Sequence, residues 1–385
     1  MPESLGVYVH FPWCLQKCPY CDFLSLPAER AAIPHADYAR AVENELAARA
    51  GAVSGYRLES IFFGGGTPSL WEPDELGSVL RAILQAFPHE GPEITVECNP
   101  SSLDAARARA LLDAGANRLS IGVQSLDRER LAFLGRLHDP DSALRAVNDA
   151  LAAGIPRVSA DLIFGVHGQS PDNACHEART LAATGVTHLS AYALTIEPGT
   201  RFGELARRGR LPLLGDAAVA DSFAGVEATL AELGFEHYEI SNYAKPGQRS
   251  QHNLGYWRGY DYLGIGTGAW GTWRTPGGRF RYRNTPSPER YMKGWLEGST
   301  TALDQKNELI SELEAITPEI ALRERLMLGL RLAEGVDTSG FTLDAARTKA
   351  AGRLVQRGLL EIDGDRWRIP QSKWLFADGA IAELM

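Results

Sequence analysis

Between Gly6 and Leu194 the chain alternates short β-rich runs with helical stretches, and this alternation restricts the possible folds more than any other feature of the sequence. The runs are GVYVHF, SIFFGG, EITVEC, RLSIGVQ, RVSADLIFG and HLSAYAL. Helical patterning falls between them, around Tyr38–Ala50, Pro73–Phe87, Leu103–Ala114 and Asp141–Ala153, and again after Pro171. Six strand and helix pairs predict an α/β fold with a parallel sheet, a partial (β/α)6 TIM-like barrel over residues 1–214.

After Ile196 the rhythm breaks. A helix at Gly215–Leu233 leads into a Gly- and aromatic-rich segment from Phe235 to Tyr291, and residues 215–316 read as a connecting region. From Thr317 to residue 385 helices near Pro318–Leu332 and Ala345–Arg357 precede a hairpin-like LLEIDGDRWRI turning at Gly364, which predicts a helical, winged-helix-like C-terminal domain. That domain carries ten acidic and ten basic side chains, whereas phosphate binding needs a basic footprint. Packing against the barrel is the expected role, and no nucleic-acid partner is expected.

Over 385 residues, 39 Lys and Arg face 48 Asp and Glu, a net charge of −9, which also argues against a general nucleic-acid binder. No apolar run approaches the ~18 residues of a membrane span, and the start, MPESLGVYVHFPWC, lacks the pattern of a signal peptide. A cytoplasmic protein is expected, with membrane contact at most peripheral and through its partners. Five cysteines are too few for a disulfide framework in a chain of this length, and Cys14, Cys18 and Cys21 fall within eight residues.

That trio, in the spacing CxxxCxxC, follows the first strand, at the edge where barrel enzymes place their chemistry. Structural zinc wants four closed ligands, and His10 could complete such a set. An iron–sulfur cubane normally takes four thiolates, so three leave one iron with an open position. S-adenosylmethionine (SAM) can chelate that iron through its amino and carboxylate groups. Gly64-Gly65-Gly66-Thr67 ends the second strand and reads either as a close-approach site for a ligand's polar end or as a tight turn. Glu97, Gln124 and Asp161 stand at or near the ends of strands three to five, where they can converge on one ligand or cap the helices that follow. Arg136 could pair with a carboxylate or lie solvated at the surface. Cys98 and Cys175 read as packing thiols.

The cysteine spacing resembles the radical SAM superfamily. Taken together, VHFPWCLQKCPYCDF, FFGGGTPSL, VECNP, NRLSIGVQSLD, LGRLHD, DLIFGVHGQ, HLSAYALTIEPGT, YEISNYAKPG and HNLGYW resemble the oxygen-independent coproporphyrinogen III dehydrogenase-like family, on its heme-chaperone branch. The resemblance covers essentially the whole chain and implies a radical SAM partial barrel. It makes Cys14, Cys18 and Cys21 the ligands of a [4Fe–4S] cluster. It places Tyr8 against the SAM on the open iron, Tyr20 near its adenine, and Gly65, Gly66 and Thr67 at its methionine end. Glu97, Gln124, Arg136 and Asp161 complete the implied pocket.

Two departures separate the chain from the dehydrogenases of that family. They carry a fourth cysteine two residues after the third, where this chain has Phe23, and a long segment before the cluster motif, where Cys14 stands near the N-terminus. The run His252-Asn253-Leu254-Gly255-Tyr256-Trp257 resembles the HNxxYW motif of the heme chaperones. A neutral imidazole is a competent axial ligand for heme iron, although a histidine among aromatics also serves as a packing residue. The expected function is therefore binding of heme and its delivery to apo-hemoproteins, supported by a cluster and SAM. The alternatives are oxidative decarboxylation of coproporphyrinogen III and radical SAM chemistry on another substrate.

Overall fold

The computed structural model describes residues 3–275, 278–298 and 306–385. Its main sheet has 12 strands. The first six are β1 (Ser4–Phe11), β2 (Arg57–Gly65), β3 (His89–Cys98), β4 (Arg118–Gln124), β5 (Arg157–Phe164) and β6 (His188–Ala193), matching the six expected runs. Then come β7 (Glu236–Glu239), β8 (Asn242–Ala244), β9 (Asp261–Ile265), β10 (Trp270–Thr275), β11 (Gly278–Asn284) and β12 (Ile310–Ile316). Across the sheet the order is β12-β11-β10-β9-β1-β2-β3-β4-β5-β6-β8-β7. The six expected strands lie side by side and parallel, which is what helical crossovers between successive strands produce.

Residues 215–316 do more than connect. β9 pairs parallel with β1 as a seventh parallel strand, and β10 to β12 continue the sheet antiparallel. Side chains from this region, including Trp273, Tyr282, Tyr291 and Trp295, share one buried core with the barrel. The glycines that make the segment read as irregular are required by close packing. A Cβ on Gly264 would stand 1.8 Å from the carbonyl oxygen of Trp270.

The C-terminal unit has its own core around Leu326, Leu354, Trp367 and Trp374. It comprises helices Pro318–Gly329 and Ala345–Gln356 and a three-stranded sheet made of β13 (Val336–Asp337), β14 (Glu361–Asp363) and β15 (Arg366–Arg368), with β15 central. It docks on the barrel through an apolar cluster in which Leu332 packs with Tyr238, Ala244 and Leu254, and through polar contacts, among them Ala333 N–H to the Tyr238 carbonyl at 3.0 Å and Arg258 to Glu334 at 2.9 Å. Among the described residues no helix is long and apolar enough to cross a membrane.

A buried ion pair fixes the added strands to the barrel. Arg49 meets Glu45 at 2.7 Å on the helix His35–Arg49, with neither side chain exposed. The Glu45 carboxylate also accepts from the Gly266 N–H at 2.8 Å, the Asn284 amide at 2.7 Å and the Tyr291 hydroxyl. One carboxylate thus ties the first helix to the loop after β9, to β11 and to the helix Pro288–Leu296. Removing it would leave the Arg49 guanidinium buried without a countercharge, so Glu45→Ala is expected to cost about 3 to 5 kcal/mol, read from the denaturant midpoint at unchanged slope.

Candidate functional site

The loop after β1 is held at both ends before it presents a thiol. Trp13–Cys14 pairs with Leu26–Pro27, and the turn closes through Cys21 N–H to the Cys18 carbonyl at 3.1 Å. The glycine run after β2 is bonded to the root of this loop. The Gly66 and Thr67 N–H groups donate to the carbonyls of Phe11 and Trp13 at 2.7 and 2.8 Å. A Cβ on Gly66 would come within 2.5 Å of the Trp13 carbonyl oxygen, and Gly65 has φ +111°, so no other residue fits this junction without strain.

Cys14, Cys18 and Cys21 are free and stand at the mouth of the barrel. Burial pushes the Cys14 thiol up to about 11 and raises that of Cys21. Among the described residues no trio of His, Cys, Asp and Glu converges as a single metal ion requires. His10 is not free to complete a zinc set, because its ring is buried between the Tyr8 hydroxyl at 3.0 Å and the Leu24 carbonyl at 2.9 Å. Three separated thiols suit a cubane, in which each ligand takes its own iron. Arg136 donates to the Cys18 sulfur at 3.4 Å and to the Gly122 carbonyl at 2.8 Å, so it faces inward and is not a solvated surface cation.

Behind the thiols lies a cavity of about 420 Å³. Tyr20, Gly65, Gly66, Thr67, Glu97, Gln124, Arg136 and Asp161, all expected from sequence, line it together with the three cysteines. Glu97 accepts from the Gly65 N–H at 3.1 Å, and Asp161 from the Ser120 hydroxyl at 3.2 Å. Burial, then the neighbouring Asp161, lifts the Glu97 carboxyl to about 7; burial lifts Asp161 to about 6. Among the described residues neither carboxylate is in an ion pair; Arg118 and Arg136 act on Asp161 from nearby, whereas no cation does so on Glu97, which is open to a cationic ligand such as SAM. Gln124 Oε1 and Arg136 Nε are buried without partners, and Gln124 has φ +68°, the one non-glycine residue at positive φ among the described residues. Backbone strain of about 1 to 3 kcal/mol at a cavity wall marks a built site.

Two expected residues lie elsewhere. Tyr8 is not on the cavity wall; it packs deeper in the barrel, stacked on Phe62 with its hydroxyl on His10. His252, expected to face heme iron, is buried at the other end of the strands. Its Nδ1 lies 2.8 Å from the Ser60 hydroxyl, its Nε2 3.1 Å from the Tyr256 hydroxyl, and its ring stacks on Phe62. Both nitrogens are engaged, so as it stands His252 is a satisfied packing residue. Burial lowers it to about 3 and keeps it neutral.

Other residues of the site escape the motif reading. Ser120 hydrogen-bonds Asp161, and Tyr192, Asn99 and Cys98 line the cavity. The signal for Ser120 is its inward place in the alternation of RLSIGVQ, a small polar residue between apolar neighbours.

Replacing Cys14, Cys18 or Cys21 by Ala is expected to abolish iron loading, while Cys98→Ala and Cys175→Ala keep it; iron counting after anaerobic reconstitution checks both. A second expectation concerns pH. Because the carboxyls of Glu97 and Asp161 are raised, protons must leave before a cation is held, so SAM affinity of the reconstituted protein should tighten about tenfold between about pH 5 and pH 8. By the same linkage the ligand-free protein loses the contribution of these groups to stability as pH rises through about 6 to 7. Glu97→Gln should flatten the affinity profile; an unchanged profile places the ligand elsewhere.

Residues 8–181 match the model of the Radical SAM superfamily, and residues 316–376 that of the HemN C-terminal domain. Heme chaperone HemW of Escherichia coli (strain K12) is 37% identical, covering 98% of this chain and 97% of that protein. Heme chaperone HemW of Mycobacterium tuberculosis (strain ATCC 25618 / H37Rv) is 34% identical over 100% of this chain and 95% of its own. The mitochondrial radical S-adenosyl methionine domain-containing protein 1 of Danio rerio is 35% identical over 96% and 82%. Among solved structures, coproporphyrinogen III oxidase (HemN) from Escherichia coli superposes with a TM-score of 0.80 at 20% identity, covering 99% of this chain and 90% of that one. The fold is shared with that enzyme. A [4Fe–4S] cluster and SAM are the cofactors of the radical SAM superfamily, and the thiols and carboxylates of the barrel mouth fit them. With relatives at this identity over nearly their whole length, the chain belongs to the HemW family of radical SAM heme chaperones.

Proposed function

We propose that the protein binds heme and delivers it to apo-hemoproteins, with a [4Fe–4S] cluster on Cys14, Cys18 and Cys21 and SAM beside it. The observation that carries this reading is the full-length similarity to proteins named as heme chaperones. Phe23 supports it: it stands where the dehydrogenases have their fourth cysteine, and its ring is 63% exposed on the cavity rim. Similarity to the oxidase at 20% identity speaks for the fold alone.

When bound, the cluster supplies one electron and an open iron for SAM. The chain's own residues do the positioning. Gly65, Gly66 and Thr67 form the wall for the methionine end of SAM, and the Gly65 N–H orients Glu97. Glu97 and Asp161 hold positive charge, Gln124 closes the floor, and Arg136 steadies Cys18. Tyr20 supplies a ring at the mouth beside Phe202, 6.4 Å between centroids. The setting is the cytoplasm, the recipients are apo-hemoproteins, and any membrane contact is peripheral and made through them.

Two incubations of the reconstituted protein test the reading. Hemin should bind saturably and pass to an apo-hemoprotein, with the Soret band following the transfer. SAM with coproporphyrinogen III should yield no vinyl product above the protein-free control. Vinyl product without hemin binding would reverse the assignment.

A further inference from the structure

A second cavity, of about 1,170 Å³, lies away from the cysteine site. It lies at the opposite end of the strands, walled by Glu3, by the starts of β1 (Ser4) and β9 (Asp261, Tyr262) and by the helix Pro318–Gly329 of the C-terminal unit. Its size exceeds the range of about 300 to 1,000 Å³ usual for small-ligand sites, so it can take a large flat molecule. Three of the chain's exposed large apolar side chains face it: Tyr260 at 39%, Trp270 at 37% and Met327 at 44%. Apolar area left open beside a deep cleft marks a binding surface.

Five arginines and three carboxylates line the cleft, and Glu314 and Glu334 stand just behind them. Most of these arginines are paired: Arg274 and Arg279 with Asp261, Arg281 with Glu314 and Glu324, Arg258 with Glu334. Arg325 is different. It is half-buried, donates to the Arg258 carbonyl, and has no carboxylate partner among the described residues. Burial lowers its pKa, against the opposing pull of Asp337 and Glu334 nearby.

We propose, resting on the heme-binding reading above, that this cleft is where the heme sits. Its macrocycle lies against Tyr260, Trp270, Met327 and Leu328, and one propionate takes Arg325. A planar apolar ring that carries carboxylates matches the apolar wall and the one lining arginine that has no carboxylate partner among the described residues. Tyr256, not His252, is the member of the HNxxYW run that lines the cleft together with Trp257, and His252 reaches it only through the Tyr256 hydroxyl.

The experiment is a titration of full-length protein with hemin and, in parallel, with hemin dimethyl ester, which lacks the carboxylates. Wild type should bind hemin at one site and the ester at least tenfold more weakly. Arg325→Gln should weaken hemin about tenfold and leave the ester unchanged. Met327→Glu, which alters only an exposed side chain, should weaken both ligands. Melting curves and cluster iron content should match wild type for both variants. If wild type binds hemin and both variants bind it within twofold of wild type, the cleft is not the site and the heme reading survives. If wild type does not bind hemin, the heme reading itself fails and takes the cleft with it.

Discussion

The Glu93 carboxylate ties three strands and a helix together at the floor of the barrel. It projects inward from β3, where Arg118 and Arg157 approach it at 3.5 and 3.1 Å. Its second oxygen accepts from the N–H groups of Gln251 and His252 at 2.8 and 3.1 Å. A negative group at the start of the helix Gln251–Trp257 satisfies its otherwise unpaired donors. The helix is thereby fixed across the bottom of the sheet. From there His252 bonds Ser60 of β2, and Tyr256 reaches the outer cleft.

Four residues further along the same strand and on the same face, Glu97 is arranged in the opposite way. Glu93 is met by two guanidinium groups and three donors, whereas Glu97 has one backbone N–H and another carboxylate for a neighbour. Removing a charge from water without pairing it is unfavourable, and a carboxyl so placed holds its proton up to about pH 7. The contrast separates structure from function within one strand. The paired glutamate closes the barrel, and the unpaired one awaits a ligand at its mouth.

Much of the mouth was legible from sequence because parallel βα repeats send every strand end to the same edge. Once the strands were found, Glu97, Gln124 and Asp161 had to lie beside the cysteine loop, and they do. The resemblance added Tyr20, which is there, and Tyr8, which lies beneath because its side chain points into a deeper layer of the barrel. The sheet extension β9 to β12 was not legible: Gly264 is needed for contact with the Trp270 carbonyl, and glycine in a sequence reads as a turn. His252 shows a related limit. A motif gives residue types but not partners, and here the partners, Ser60 and Tyr256, occupy both ring nitrogens.

The two ends of β1 then bear on the choice between chaperone and enzyme. The strand has eight residues, with Ser4 at the wall of the large cleft and the cysteine loop after Phe11. At about 3.3 Å per residue, a tetrapyrrole in that cleft would stand roughly 25 Å from the thiols. A radical formed at the mouth acts only on a group brought within contact distance, since reacting atoms must approach to about 3 to 3.5 Å. Heme bound in the cleft therefore lies outside the reach of that chemistry, whereas a decarboxylase would need its substrate in the mouth, in a cavity of about 420 Å³ that SAM must share. Separate ends of one barrel allow a macrocycle to be carried without being altered.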